Sequence, residues 1–203
     1  TIVKAEINHS DYYNAVRYFD LSKSNLDMML INKSFDMEFF DAWARGGKKV
    51  LRRWSTNPKW YINTTNAEQE QIDMVKEIIN IDLTEFKNGF LHPTIEEISE
   101  NKEERRSMLV YWVEEEDYYG NHKETIENNE IVSASTWFLK SNKLRRVYLR
   151  QLTQVMGFVN NASNMEFYSD DGYYTQQALD CGRFLQYSKI GNISPDTEPE
   201  PVL

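Results

Sequence analysis

Residues 150–161 read R-Q-L-T-Q-V-M-G-F-V-N-N, and the fold is inferred outward from them. Their register is that of H-E-x-x-H-x-x-G-x-x-H, the spacing by which one helix and a glycine turn bring three imidazoles to a zinc ion. Arg150 stands at the first histidine, Gln151 at the glutamate, Gln154 at the second histidine and Asn160 at the third, with Gly157 in register. The spacing predicts a helix, a turn at Gly157 and a loop that points Asn160 back toward Arg150 and Gln154. The side chains predict no zinc chemistry. Arg150 carries a permanent positive charge and no acceptor. Gln151 cannot take a proton from a metal-bound water. The amide oxygens of Gln154 and Asn160 are poor zinc ligands beside imidazole or thiolate. No metal and no other cofactor is expected, and no catalytic residue is assigned.

The flanking periodicities place this stretch in an α+β chain. Ser141 is expected to cap the motif helix, whose apolar stripe runs Leu144, Val147 or Tyr148, Leu152, Val155 and Met156. Residues 131–140 alternate small polar and apolar groups and read as a strand at a sheet edge. Residues 107–113, S-M-L-V-Y-W-V, are the best candidate for a central strand. Residues 50–54 and 59–64 look extended, the latter with Trp60 and Ile62 on one face. Thr65-Asn66-Ala67-Glu68 has capping-box spacing, followed by a stripe of Ile72, Val75, Ile78, Ile79 and Phe86 that closes near Asn88-Gly89. A last helix is expected from Thr175 through Leu179, Cys181, Phe184 and Leu185 to Tyr187. Residues 11–43, rich in aromatics, read as helical segments. The expected organisation is an N-terminal helical layer over 1–47, a main domain over 48–191 and a disordered tail or linker over 192–203, where prolines and acids offer little to bury.

Bulk properties narrow the function classes. The 203 residues carry a net charge of −9, and acids exceed bases. Binding to a nucleic-acid backbone needs clustered cations, so that partner is excluded. The basic runs at 48–53 and 143–150 are interleaved with apolar residues, as on the polar face of a strand or helix. No apolar run approaches the roughly 20 residues of a membrane-spanning helix. Cys181 is the single cysteine, so no intramolecular disulfide is available. The chain starts at Thr1, which fits a start from which an export signal has been removed. Sequons at Asn8, Asn32, Asn63, Asn161 and Asn192 are expected to be chance matches in an Asn-rich chain.

Other chemistry is sparse. His9, His92 and His122 have no partner at ligand spacing and read as loop or surface residues. The acidic run at 114–117 lacks the ordered spacing of a calcium loop and reads as a solvated turn. A metal-independent hydrolase built on those acids, or on Asp170 and Asp171, would require two carboxylates in contrasting environments.

The motif R-Q-L-T-Q-V-M-G-F-V-N-N resembles the segment E-E-L-T-Q-x-L-G-L-x-N-D of a group of bacterial exported zincin-like proteins, a domain of unknown function. Arg52-Arg53-Trp54 and Lys59-Trp60-Tyr61-Ile62 resemble that family's first strand. Residues 163–170 and 174–191 resemble its closing helix and loop, so the match spans about 44–191. The order strand, helix, strand, edge strand, motif helix is also that of the upper half of a zincin metalloprotease. The resemblance implies a zincin-like (metalloprotease-like) fold: a small mixed twisted sheet, two long helices and additional N-terminal helices. It implies an exported, non-catalytic pseudo-metallopeptidase that binds a peptide, glycan or protein partner in the former active-site cleft. Arg150, Gln151, Gln154, Asn160 and Asn161 would line that cleft, and residues 131–139 would be the place for strand addition. Arg150, Gln151 and Asn161 stand where the family has acids, so roles that depend on acidic groups do not carry over. Met165 echoes the methionine turn beneath a protease zinc site, and equally an ordinary core methionine. A purely structural envelope domain is the bland counterpart.

Overall fold

The structure, a computed structural model, describes residues 2–8, 10–11, 15–20, 37–44, 50–54, 56–86, 93–115, 119–157, 167–187 and 191–192. The N-terminal expectation is partly corrected. β1 (Ile2–Ile7) and β2 (Ala15–Asp20) form an antiparallel hairpin with Ile2 opposite Asp20 and Ile7 opposite Ala15. The helical spacing of Val16 and Phe19 is overridden there, because Val16, Tyr18 and Phe19 are good β-formers and the segment has a paired strand to join. Helix does form at α1 (Met37–Ala44), which inserts Phe39, Phe40 and Ala44 into the core.

β3 (Val50–Leu51) is a short strand that pairs antiparallel with β9 (Gly191–Asn192). β4 (Lys59–Asn63) opens the main sheet and turns Trp60 and Ile62 into the core. α2 (Gln69–Glu77) follows. Its cap is Glu68, which exchanges side-chain and backbone bonds with Gln71, three residues later than the expected Thr65–Glu68 pair. The Thr65 hydroxyl is engaged elsewhere, donating to the Ser99 carbonyl at 2.7 Å. A π-helical turn, Ile78–Asp82, leads into α3 (Leu83–Phe86). The stripe of Ile72, Val75, Ile78 and Ile79 is buried as its spacing predicts. The expected stop at Asn88-Gly89 lies outside the described residues.

β5 (Thr94–Ile98), β6 (Ser107–Val113), β7 (Gly120–Glu127) and β8 (Glu130–Leu139) complete a five-stranded mixed sheet of order β5-β4-β6-β8-β7. β4, β5, β6 and β8 run parallel, and β7 alone runs antiparallel, against β8. β6 is the central strand, and its near-continuous burial is that of a parallel strand covered on both faces. β8 is not the edge. It lies between β6 and β7, and β7 takes the edge instead. The polar alternation of β8 is misleading because Ser135 and Thr136 are buried.

α4 (Arg145–Gln154) packs on the sheet through Tyr148, whose ring lies 4.2 Å from that of Phe138 and 6.4 Å from that of Trp112. Its start is set by Asn142, whose Oδ1 accepts from the Leu144 N–H, and not by Ser141, which is exposed. Leu144 precedes the helix and is 61% exposed, so it leaves the buried stripe. Gln71 joins α2 to α4: its Nε2 lies within 2.8 Å of the Lys140 and Asn142 carbonyls and 3.1 Å of the Tyr148 hydroxyl. α5 (Gln176–Tyr187) closes the core with Ala178, Leu179, Cys181 and Leu185. Of the expected tail at 192–203, Asn192 is instead paired in β9, and the rest lies outside the described residues.

Candidate functional site

The motif helix ends where its glycine predicts. Gly157 has φ +118°, and the backbone of Arg52 lies against its Cα. The Val155 carbonyl, left without a helical partner at the C-terminus, accepts from Trp54 Nε1 at 2.8 Å. One turn earlier, the Thr153 hydroxyl donates to the Leu149 carbonyl and therefore accepts from the Tyr174 hydroxyl at 2.6 Å. Tyr174 stacks on Tyr168, and burial pushes both phenols above their ordinary value. With the antiparallel bridge between Tyr168 and Tyr174, the hydroxyl bond fastens this segment to the motif helix.

The motif side chains divide by depth. Gln154 is 2% exposed and Gln151 8%, whereas Arg150 is half-buried. Asn160, Asn161 and Met165 lie outside the described residues, so the expected return of Asn160 toward Arg150 and Gln154 falls there too. Gln151 points at the edge strand. Its Nε2 donates to the Gly120 carbonyl at 3.2 Å, and its Oε1 lies 2.9 Å from Nδ1 of His122. Gly120 permits the approach: a Cβ there would meet the Phe138 ring at 2.9 Å and Gln151 Cγ at 3.3 Å.

His122 is the site residue that its sequence context hides. It is a partly buried residue of β7, opposite Thr136, and not an isolated loop residue. Directly opposed residues of an antiparallel pair share a face, so Gly120, His122 and Glu124 line the side of β7 that looks onto α4. Burial holds the His122 imidazole below its ordinary pKa; the Gln151 hydrogen bond opposes this and the charge of Arg150 reinforces it. The sequence separation of 29 from His122 to Gln151 is bridged only by the sheet order, which no local spacing encodes. A clue is the Asn128-Asn129 pair, a hairpin turn signal that would have made G-N-H-K-E-T-I-E a strand.

The remaining acids do not assemble here. Glu114, Glu115, Asp170 and Asp171 are all exposed, with Glu114 paired to Lys140 at 2.9 Å. Among the described residues, no group of three His, Cys, Asp or Glu side chains is placed to hold a metal ion. Asp82, a buried acid, bonds to Arg145 at 2.5 Å on the α3 side of α4. No helix among the described residues is long and apolar enough to cross a membrane. Comparison of the chain with profiles of protein families, with curated proteins and with solved structures finds no match.

Proposed function

We propose that the protein is an exported, non-catalytic zincin-like module that takes an extended peptide segment into the cleft between β7 and α4. One observation carries the reading: the antiparallel edge strand lies directly beside the motif helix, and Gln151, at the position of the catalytic glutamate, bonds to its Gly120 carbonyl. An active zincin holds its substrate along an edge strand, and the element order, the glycine turn and the parallel sheet with one reversed edge support reading this region as such a cleft. Export rests on the resemblance of the motif region.

The chemistry supports recognition over hydrolysis. An amide at position 151 exchanges hydrogen bonds but takes no proton, and the guanidinium of Arg150 repels a dication. The edge strand supplies what binding needs. Among the described residues no strand pairs with the outer side of β7; the Gly120 carbonyl accepts from Gln151 and the His122 N–H donates to Asn121 Oδ1, so an added strand would pair with the groups beyond these two or displace those side chains. Strand addition at β8, expected from its sequence, is replaced by addition at β7.

The test is a library of blocked seven-residue peptides, read by hydrogen–deuterium exchange over residues 120–127 and by zinc analysis of the purified protein. Peptide-dependent protection of β7 amides without stoichiometric zinc is expected. Tightly bound zinc with peptidase activity, or no protection by any peptide, would overturn the proposal.

A further inference from the structure

We propose that His122 reads hydrogen-bond donors in this cleft through its Nε2, which Gln151 and Gly120 together hold as the unprotonated ring nitrogen. The inference rests on the cleft reading above and names the group its ligand must present. Its starting point is the Gly120 carbonyl, which has lone pairs only. The nitrogen end of the Gln151 amide must therefore face it, as the 3.2 Å contact has it. The amide oxygen is left facing Nδ1 of His122 at 2.9 Å, and an oxygen acceptor there requires the proton on Nδ1. A neutral imidazole carries one N–H, so Nε2 keeps its lone pair. Among the described residues, no group engages it.

The charge that bears on the ring, that of Arg150, favours a neutral acceptor. Arg150 on α4 opposes a second proton, Glu124 lies two residues along β7 on the same face, and Thr136 opposite on β8 is uncharged. A carboxylate at position 151 would act differently, setting oxygen against the Gly120 carbonyl and drawing a proton onto His122. Glutamine is thus not only the loss of a base. It is the positioning residue for an imidazole whose free lone pair accepts from a peptide N–H or a hydroxyl and repels a carboxylate.

The experiment uses the full chain labelled with nitrogen-15. A long-range proton–nitrogen correlation through the imidazole rings reads the tautomer of the three histidines, with His122 assigned from His122→Gln. The expected wild-type spectrum shows Nδ1 protonated and Nε2 bare. Gln151→Met should relax it to a tautomer mixture, and Gln151→Glu should protonate both nitrogens near neutral pH. Either variant suffices if the other fails to fold. An Nε2–H tautomer in the wild type, or one unmoved by these variants, overturns the assignment to His122 alone. With the blocked peptide library, His122→Phe should weaken binding about tenfold, the loss of one hydrogen bond. Unchanged affinity overturns the recognition role. Failure of every peptide to bind overturns the cleft reading, while the tautomer measured without ligand still stands or falls separately.

Discussion

A Cβ on Gly157 would stand 2.2 Å from the carbonyl oxygen of Arg52, so the end of the motif helix and the backbone leading out of β3 are in direct contact. The glycine meets two requirements at once: φ +118° and the absence of a side chain. Gly157→Ala should therefore lose about 3 kcal/mol or more, combining left-handed strain with overpacking. Urea denaturation checks this, and a loss below about 1 kcal/mol would mean that the helix end is free to shift.

His122 should make stability depend on pH near neutrality. Its folded pKa is lowered, chiefly by burial, so the unfolded chain binds a proton near pH 6.5 that the folded chain resists. Below that value the unfolded state holds more protons, and stability falls as pH falls. Above it, both states are neutral at this site and the contribution is flat. Denaturation midpoints of wild type and His122→Gln between pH 5 and 8 test the sign. The variant should lose less stability on acidification, and parallel curves would count against the buried neutral imidazole.

Asp82 and Arg145 behave as a buried pair with 7% and 15% side-chain exposure. Burial raises the Asp82 pKa despite the Arg145 bond that opposes it. Arg145 also donates to the Gly172 carbonyl and lies 4.0 Å from the Tyr173 ring. Arg145→Met strands the carboxylate and should cost about 3 kcal/mol, whereas Asp82→Leu combined with Arg145→Met should recover much of it. For wild type, a raised carboxyl pKa means that the folded state keeps its proton longer. This stability term is full below the unfolded value and declines as pH rises through the folded one. A double-mutant cycle in urea measures the coupling, and strictly additive losses would deny it.

What could be read in the sequence follows how local each determinant is. The buried row Ile72, Val75, Ile78 and Ile79 announces itself by spacing, and Gly157 by its place after Val155 and Met156. The centrality of β6 follows from seven residues with no charge, four of them the β-formers Val110, Tyr111, Trp112 and Val113. Sheet order is not local in this sense. The serines of β8 suggested a wetted edge, but Ser135 is buried between neighbouring strands. With β8 read as the edge, β7 has no place and His122 no neighbours. The Thr65 cap failed for a similar reason, since Ser99 lies 34 residues away and takes its hydroxyl. Half of the candidate site, Arg150, Gln151 and Gln154, comes from one helix and was legible from one motif. Its counterpart on β7 had to come from the fold.

The turn that joins β7 to β8 should control that counterpart. Asn128 and Asn129 have φ +50° and +66°, the two positive values of a type I′ hairpin turn, between the paired Glu127 and Glu130. Asparagine tolerates this region, glycine more so, and a β-branched residue poorly. Asn129→Gly should be neutral or stabilising by about 0.5 kcal/mol, and Asn129→Val should cost about 1–2 kcal/mol. The larger consequence concerns register. The pairing already shifts between Thr125 and Ile126, and a slip of one residue turns every side chain of a strand to its other face. His122 would then leave Gln151, and Gly120 would no longer stand beneath it. The His122 ring signals should therefore move in Asn129→Val and stay in place in Asn129→Gly. If valine lowers stability without moving them, register is held by the β7–β8 side chains and not by the turn.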